Sequence, residues 1–175
     1  MKVVVTGAGG FVGDALCRRL AASGYQVTGI FRDRPPSRSW METRAAGDLT
    51  ELPEFKSIVE GMDAVIHLAA RVHMMRDTAA DPEQAFLAAN REVTRHLAQA
   101  AADTGIGRFV FLSSVKVNGE ETAETPFSER DRPAPEDAYG RSKRDAEEAL
   151  QKIAAKTNMA ITTLRVPLVY GPSVR

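Results

Sequence analysis

A chain of 175 residues has the length of a single domain able to bury most of its apolar surface on folding. Its 23 lysines and arginines balance its 23 aspartates and glutamates, with no long run of one sign, which gives no support to a nucleic-acid or membrane-surface partner. No stretch approaches the ~18 apolar residues that span a bilayer, no charged-then-apolar leader opens the chain, and the single Cys17 cannot form an intrachain disulfide; the expectation is a soluble cytoplasmic protein.

In chain order, the apolar, β-branched run "VVV" (3–5) predicts a strand. After it come a glycine-rich turn and a helix over about 11–23, in which Cys17 reads as a small buried hydrophobe. "QVTGIF" (26–31) predicts a second strand, and a weak strand is expected near 42–46. A helix over 51–60 leads to the strand "DAVIHLA" (63–69). A helix over 81–104, the strand "RFVFLS" (108–113), a helix over 137–157 and the strand "AITTLRV" (160–166) complete the series. Near-continuous apolar strands alternating with helices predict a parallel sheet covered on both faces, the doubly wound α/β class, as one domain over 1–175. Two connections, 71–81 and 115–136, are long for such a fold and read as functional or mobile.

The turn "GAGGFVG" after the first strand has the arrangement in which a dinucleotide pyrophosphate meets a helix N-terminus. Gly7 would permit the tight turn, Gly10 the approach of backbone to phosphate, and Gly13 close helix-to-strand packing. The spacing is Gly-x-x-Gly-x-x-Gly rather than Gly-x-Gly-x-x-Gly. Tyr139 and Lys143, four apart in a predicted helix, share one face, and Ser114 stands at the carboxyl end of a strand, where ligands bind in open α/β folds. A tyrosine titrates near ~10, so acting as a base near neutrality requires a nearby positive charge, which Lys143 can supply. His67 reads as a satisfied buried histidine. Neither it, His73 nor His96 sits in a metal-ligand pattern, and no metal site is expected.

The ordered strings "TGAGGFVG", "GDL" (47–49), "HLAA" (67–70), "SSV" (113–115), "YGRSK" (139–143) and "RVPLVYGP" (165–172) resemble the extended short-chain dehydrogenase/reductase family of nucleotide-sugar epimerases and dehydratases. The resemblance implies a Rossmann fold, a nucleotide-sugar substrate such as a UDP-sugar, and hydride transfer at a sugar carbon, C4 in the expected reaction. It assigns Tyr139 to proton exchange, Ser114 to orienting the reacting oxygen, and Lys143 to lowering the tyrosine pKa and holding the nicotinamide ribose, with Ser113 structural. It matches Phe11 and Val12 to the pyrophosphate end of the helix, Asp48 and Leu49 to the adenine, and Leu68, Ala69, Ala70 and Asn90 to the wall of the cofactor cleft. Family members often dimerise through the two long helices, here 81–104 and 137–157.

Where NAD-specific relatives carry an acid at the end of the second strand, this chain has Phe31 followed by Arg32, with Arg34 and Arg38 close behind. An arginine there can pair with a 2′-phosphate, so NADP is favoured over NAD, while Asp33 could instead serve a 2′-hydroxyl. Val115 and Lys116 follow Ser114 where dehydratases carry an Asp-Glu pair, which disfavours dehydration and leaves a 4-epimerase or a 4-ketoreductase. The family continues past "YGP" into a smaller substrate domain, which would begin where this chain ends. A non-catalytic cofactor-binding sensor or scaffold is the alternative reading.

Overall fold

The computed structural model describes residues 1–52, 54–72, 80–122 and 124–172. Six strands form one parallel sheet: β1 (Lys2–Thr6), β2 (Gln26–Phe31), β3 (Glu42–Ala45), β4 (Ala64–His67), β5 (Arg108–Ser114) and β6 (Ala160–Val166), in the order β3-β2-β1-β4-β5-β6. This is the doubly wound Rossmann arrangement, and the order reverses beside β1. In register, Thr6 of β1 stands opposite Ile30 and His67, so three strands end together and their following loops share one crevice.

The strand residues explain the layering. Successive side chains of a strand point to opposite faces, and both faces here are apolar. Val4, Ile30, Val65, Phe109 and Phe111 pack against α2 (Lys56–Val59), α4 (Val93–Asp103) and α5 (Ala138–Ala154). Val3, Val5, Val27, Phe31 and Ala64 pack against α1 (Phe11–Ala22) and the segment around Met41. Cys17 is fully buried in this second layer, as a small hydrophobe would be. Burial, with the Asp14 charge nearby, pushes its thiol up to about 11, which makes it a poor nucleophile.

Two helices differ from expectation. The helix expected over 51–60 is only Lys56–Val59, opening after Phe55 and ending where Glu60 turns extended, at φ −59° and ψ 129°. The helix expected over 81–104 is three segments: α3 (Pro82–Phe86), a π-helical stretch Leu87–Glu92, and α4. Asp81 caps α3 by accepting a hydrogen bond from the Gln84 N–H at 3.1 Å. His73 and most of the 71–81 connection lie outside the described residues. Among the described residues no helix is long and apolar enough to cross a membrane.

Candidate cofactor and catalytic site

The glycines answer to measured space. Gly7 has φ +71°, and a Cβ there would stand 2.7 Å from the Ala69 backbone nitrogen. On Gly13 a Cβ would lie 2.1 Å from the Gly7 carbonyl oxygen, so α1 reaches β1 at this distance only without a side chain. Gly10 is exposed and a Cβ there meets only the Gly7 oxygen, at 3.3 Å. Gly10 is the N-cap residue of α1 and offers no side-chain cap, so the first-turn N–H groups face outward with the positive end of the helix dipole. That is a cradle for an anionic group.

In front of it lies a cavity of about 670 Å³ built by the loops that follow β1, β2, β3 and β4. Of the residues singled out from the sequence, Gly7, Gly10, Arg32, Asp48, Leu49, Ala69 and Ala70 line it. Phe11, Val12, Gly13, Leu68 and Asn90 do not, nor do Ser114, Tyr139 and Lys143. At its rim the Arg32 guanidinium pairs with Asp48 at 2.9 Å, both side chains being more than a third exposed. The Thr50 N–H and hydroxyl donate to Asp48, at 2.9 and 2.8 Å, and with Arg32 hold its carboxyl below the usual range. Arg34 and Asp33 also face the cavity. Arg38 does not. It pairs with Asp14 on α1 and lies over the rings of Phe31 and Trp40, with the Trp40 ring 5.2 Å from both Arg38 and Arg18.

Asn90 is 1% exposed and sits in the π-helical stretch with its amide wholly engaged. Its oxygen accepts from the Arg71 N–H at 2.8 Å, and its nitrogen donates to the Arg71 carbonyl and the Ser142 hydroxyl, each at 2.9 Å. It therefore fastens the end of the cleft wall to α5 instead of presenting its side chain to the cavity. His67 is likewise a satisfied core residue. The Thr94 hydroxyl donates to the Asn90 carbonyl at 2.5 Å, so His67 Nε2–H donates to Thr94, at 3.0 Å, and Thr6 donates to His67 Nδ1 at 2.6 Å. Burial, with Lys143 nearby, drives the His67 pKa down to about 3 and leaves the ring neutral.

At the carboxyl end of β5 the three expected catalytic residues come together. The Ser114 hydroxyl accepts from the Lys116 N–H at 3.2 Å and lies close enough to Tyr139 to act on its phenol, and the Tyr139 ring meets Phe86 edge-on at 6.1 Å. Lys143 is 2% exposed; its Nζ donates to the Leu112 carbonyl at 2.6 Å and lies 4.1 Å from the Phe111 ring centre. The expected lowering of the tyrosine by lysine is absent from this arrangement. Burial raises the Tyr139 phenol, and the Ser114 hydroxyl opposes that rise, while Lys143 faces Leu112. Burial in turn brings Lys143 down to about 7, against the opposing pull of Glu147.

Two contributors escaped the sequence reading. A Cβ on Gly140 would stand 2.7 Å from the Lys116 carbonyl oxygen, so the start of α5 reaches the turn after Ser114 only because a glycine follows Tyr139. The buried Glu147 and the partly buried Arg165 form an ion pair beside Ser113. A lone arginine in the apolar strand "AITTLRV" was the available signal, since a charge in such a run needs a partner.

Comparisons with known proteins agree with this geometry. Residues 3–175 match the model of the NAD dependent epimerase/dehydratase family. The chain is 37% identical over 176 residues to the UDP-glucose 4-epimerase of Vibrio cholerae, covering 99% of this chain and 53% of that protein. Its fold superimposes on MoeE5 in complex with UDP-glucuronic acid and NAD with a TM-score of 0.87 at 32% identity, over 100% of this chain and 57% of that one. The UDP-glucuronic acid 4-epimerase from Bacillus cereus in complex with NAD gives 0.86 at 28%, over 100% and 58%. The chain thus spans about half the length of the relatives it matches. With a glycine cradle, a Rossmann sheet and sequence likeness over nearly its whole length, it belongs to the NAD-dependent epimerase/dehydratase family.

Proposed function

We propose that this chain is the cofactor-binding and catalytic half of a nucleotide-sugar 4-epimerase or 4-ketoreductase acting on a UDP-sugar. The observation that carries the reading is the meeting of two features at one end of one sheet: the uncapped glycine cradle over the cavity, and the Ser114, Tyr139 and Lys143 cluster beside it. A nicotinamide dinucleotide, when bound, supplies hydride exchange with the sugar carbon. Gly7, Gly10 and the first turn of α1, with Phe11 and Val12, would hold its pyrophosphate. Asp48 and Leu49 would hold the adenine, and Ala69 and Ala70 the cleft wall. Tyr139 exchanges a proton with the sugar oxygen and Ser114 orients that oxygen. Lys143, which donates to the Leu112 carbonyl, would hold the ribose.

Arg32 is the proposed reader of a 2′-phosphate, which makes NADP the favoured cofactor. Its pair with Asp48 is solvent-exposed, worth no more than ~1 kcal/mol, and a phosphate dianion can displace it. The relatives carrying NAD favour the opposite assignment, in which Asp33 meets a 2′-hydroxyl. Paired titrations with NADPH and NADH, read by nicotinamide fluorescence and melting temperature, decide between the two. Tighter NADPH, lost in Arg32→Ala, supports Arg32, whereas tighter NADH assigns the ribose to Asp33. Tyr139→Phe in the full-length protein is expected to abolish turnover and leave cofactor affinity nearly unchanged; an active variant removes the acid-base assignment. The outer faces of the π-helical stretch, α4 and α5 carry Arg91, Arg95 and Lys152 beside Asp103, Asp145 and Glu148, a mixture that a two-fold axis could match to itself. We assign a second copy of the chain to this face, testable by sedimentation.

A further inference from the structure

One partly buried charged cluster plays no part in the roles above. Glu147, 4% exposed, lies on α5 one turn after Lys143. The Ser113 hydroxyl donates to it at 2.5 Å, and Arg165 of β6 donates through Nη2 at 2.7 Å and through Nε at 3.1 Å. The same guanidinium donates through Nη1 to Asn118 Oδ1 at 3.2 Å, and the Asn118 amide donates to the Ser128 carbonyl at 3.1 Å. β5, β6 and α5 are joined at this one carboxylate, and the turn after Ser114 is joined to it through Arg165. Stability alone is a weak reason for such a pair, because the cost of desolvating two charges offsets most of their attraction, and apolar replacements often serve as well.

The neighbourhood of Lys143 supplies another reason. From β4 it faces His67, which is neutral, and from β5 the Phe111 ring and the Leu112 carbonyl. Its own helix brings Tyr139 and Glu147. Arg165 of β6 is bonded to the Glu147 carboxylate. Among the described residues Glu147 is the anionic side chain that acts on this buried ammonium. Its fixing groups flank the candidate catalytic residues: Ser113 precedes Ser114, and Asn118 closes the turn that Ser114 begins.

We propose that Glu147, held by Ser113 and Arg165, is a positioning residue that keeps the Lys143 ammonium charged and aligned within the candidate site. The inference rests on the reading of Lys143 as the group that holds the cofactor ribose. Its test uses the 175-residue chain with 13C-labelled lysine, following the Lys143 Cε resonance from about pH 5 to about pH 10, with the peak assigned by its loss in Lys143→Arg. In the wild-type chain the midpoint is expected at about 7, lowered by burial. Glu147→Gln keeps an acceptor for Ser113 and Arg165 but removes the charge, and is expected to move the midpoint down by about one unit. At pH 7 that takes the charged fraction from about a half to about a tenth, so NADH affinity falls about fivefold there and recovers as the pH is lowered. Should Glu147→Gln unfold, the double replacement Glu147→Leu with Arg165→Leu removes the whole ion pair and is expected to move the midpoint in the same direction by less, because the repulsion from Arg165 goes with the attraction of Glu147. An unchanged Lys143 midpoint in the folded variant overturns the proposal, because a merely structural cluster alters stability and leaves that titration where it was. A shifted midpoint with unshifted NADH affinity sustains Glu147's role and instead removes Lys143 from the cofactor site.

Discussion

At the scale of single residues, the glycines separate into kinds that sequence spacing treats alike. A Cβ at Gly13 would stand 2.1 Å from a carbonyl oxygen belonging to the turn itself, which no side-chain movement can relieve. Gly13→Ala is therefore expected to cost at least ~3 kcal/mol, or to push α1 off β1 and abolish dinucleotide binding. Gly24→Ala meets nothing within 4 Å but sits at φ +83°, so its cost is the backbone term alone, about 1 kcal/mol. Gly10→Ala, with one contact at 3.3 Å, is expected to fold with little loss and to weaken NADH binding, because the methyl stands in the cradle. Urea unfolding and NADH fluorescence on the three variants give that ranking, and a Gly13→Ala protein as stable as Gly24→Ala would contradict it. The sequence displayed Gly10 and Gly13 within one motif, and Gly24 apart from it. What it could not display is which glycine faces its own turn, which faces the cavity, and which merely ends a helix.

At the scale of elements, the least legible was the helical region 81–104. Its apolar spacing suits one continuous helix, yet the chain widens into a π turn over Leu87–Glu92, just where Asn90 reaches across to Arg71 and Ser142. Side-chain hydrogen bonds of this kind leave no periodic trace, because they depend on the partner strand and helix rather than on neighbours in sequence. The strands were legible for the opposite reason: apolar, β-branched runs buried on both faces announce themselves within a few residues. The strand expected over 63–69 ends at His67, so Leu68 and Ala69 part from the sheet, and Ala69 and Ala70, which the resemblance matched to the cleft wall, line the cavity. Asn90→Ala would leave the Arg71 N–H and carbonyl without their clip. The expected loss is about 2–4 kcal/mol, with faster amide exchange at Arg71 and at the start of α5. Exchange confined to Leu87–Glu92 would mean that the clip holds only its own helix.

At the scale of the whole molecule, two buried bases decide how stability follows pH. His67 titrates at about 3 in the fold against 6.5 as its ordinary value, so between those limits the unfolded chain binds the extra proton. Stability then rises with pH up to about 6.5, at a slope approaching ~1.4 kcal/mol per pH unit. Lys143 repeats the argument higher on the scale: about 7 in the fold against 10.5, so the unfolded chain again binds the extra proton between these values and stability continues to rise. Tyr139 reverses the sign above about 10, because its phenol is raised and the folded chain keeps the proton longer. The lowered carboxyls of Asp48 and Glu42 add stability that is lost only in acid, and both are too exposed for a large effect. The cofactor-free chain is therefore expected to be most stable on the alkaline side of neutrality, above the range usual for proteins. Urea midpoints across the pH range check this. Lys143→Met is expected to flatten the rise above pH 7, and His67→Gln the fall below 6.5. If both variants instead track the wild-type curve, the bases are not buried as charges the fold must neutralise, and the candidate site is wetter than its geometry indicates.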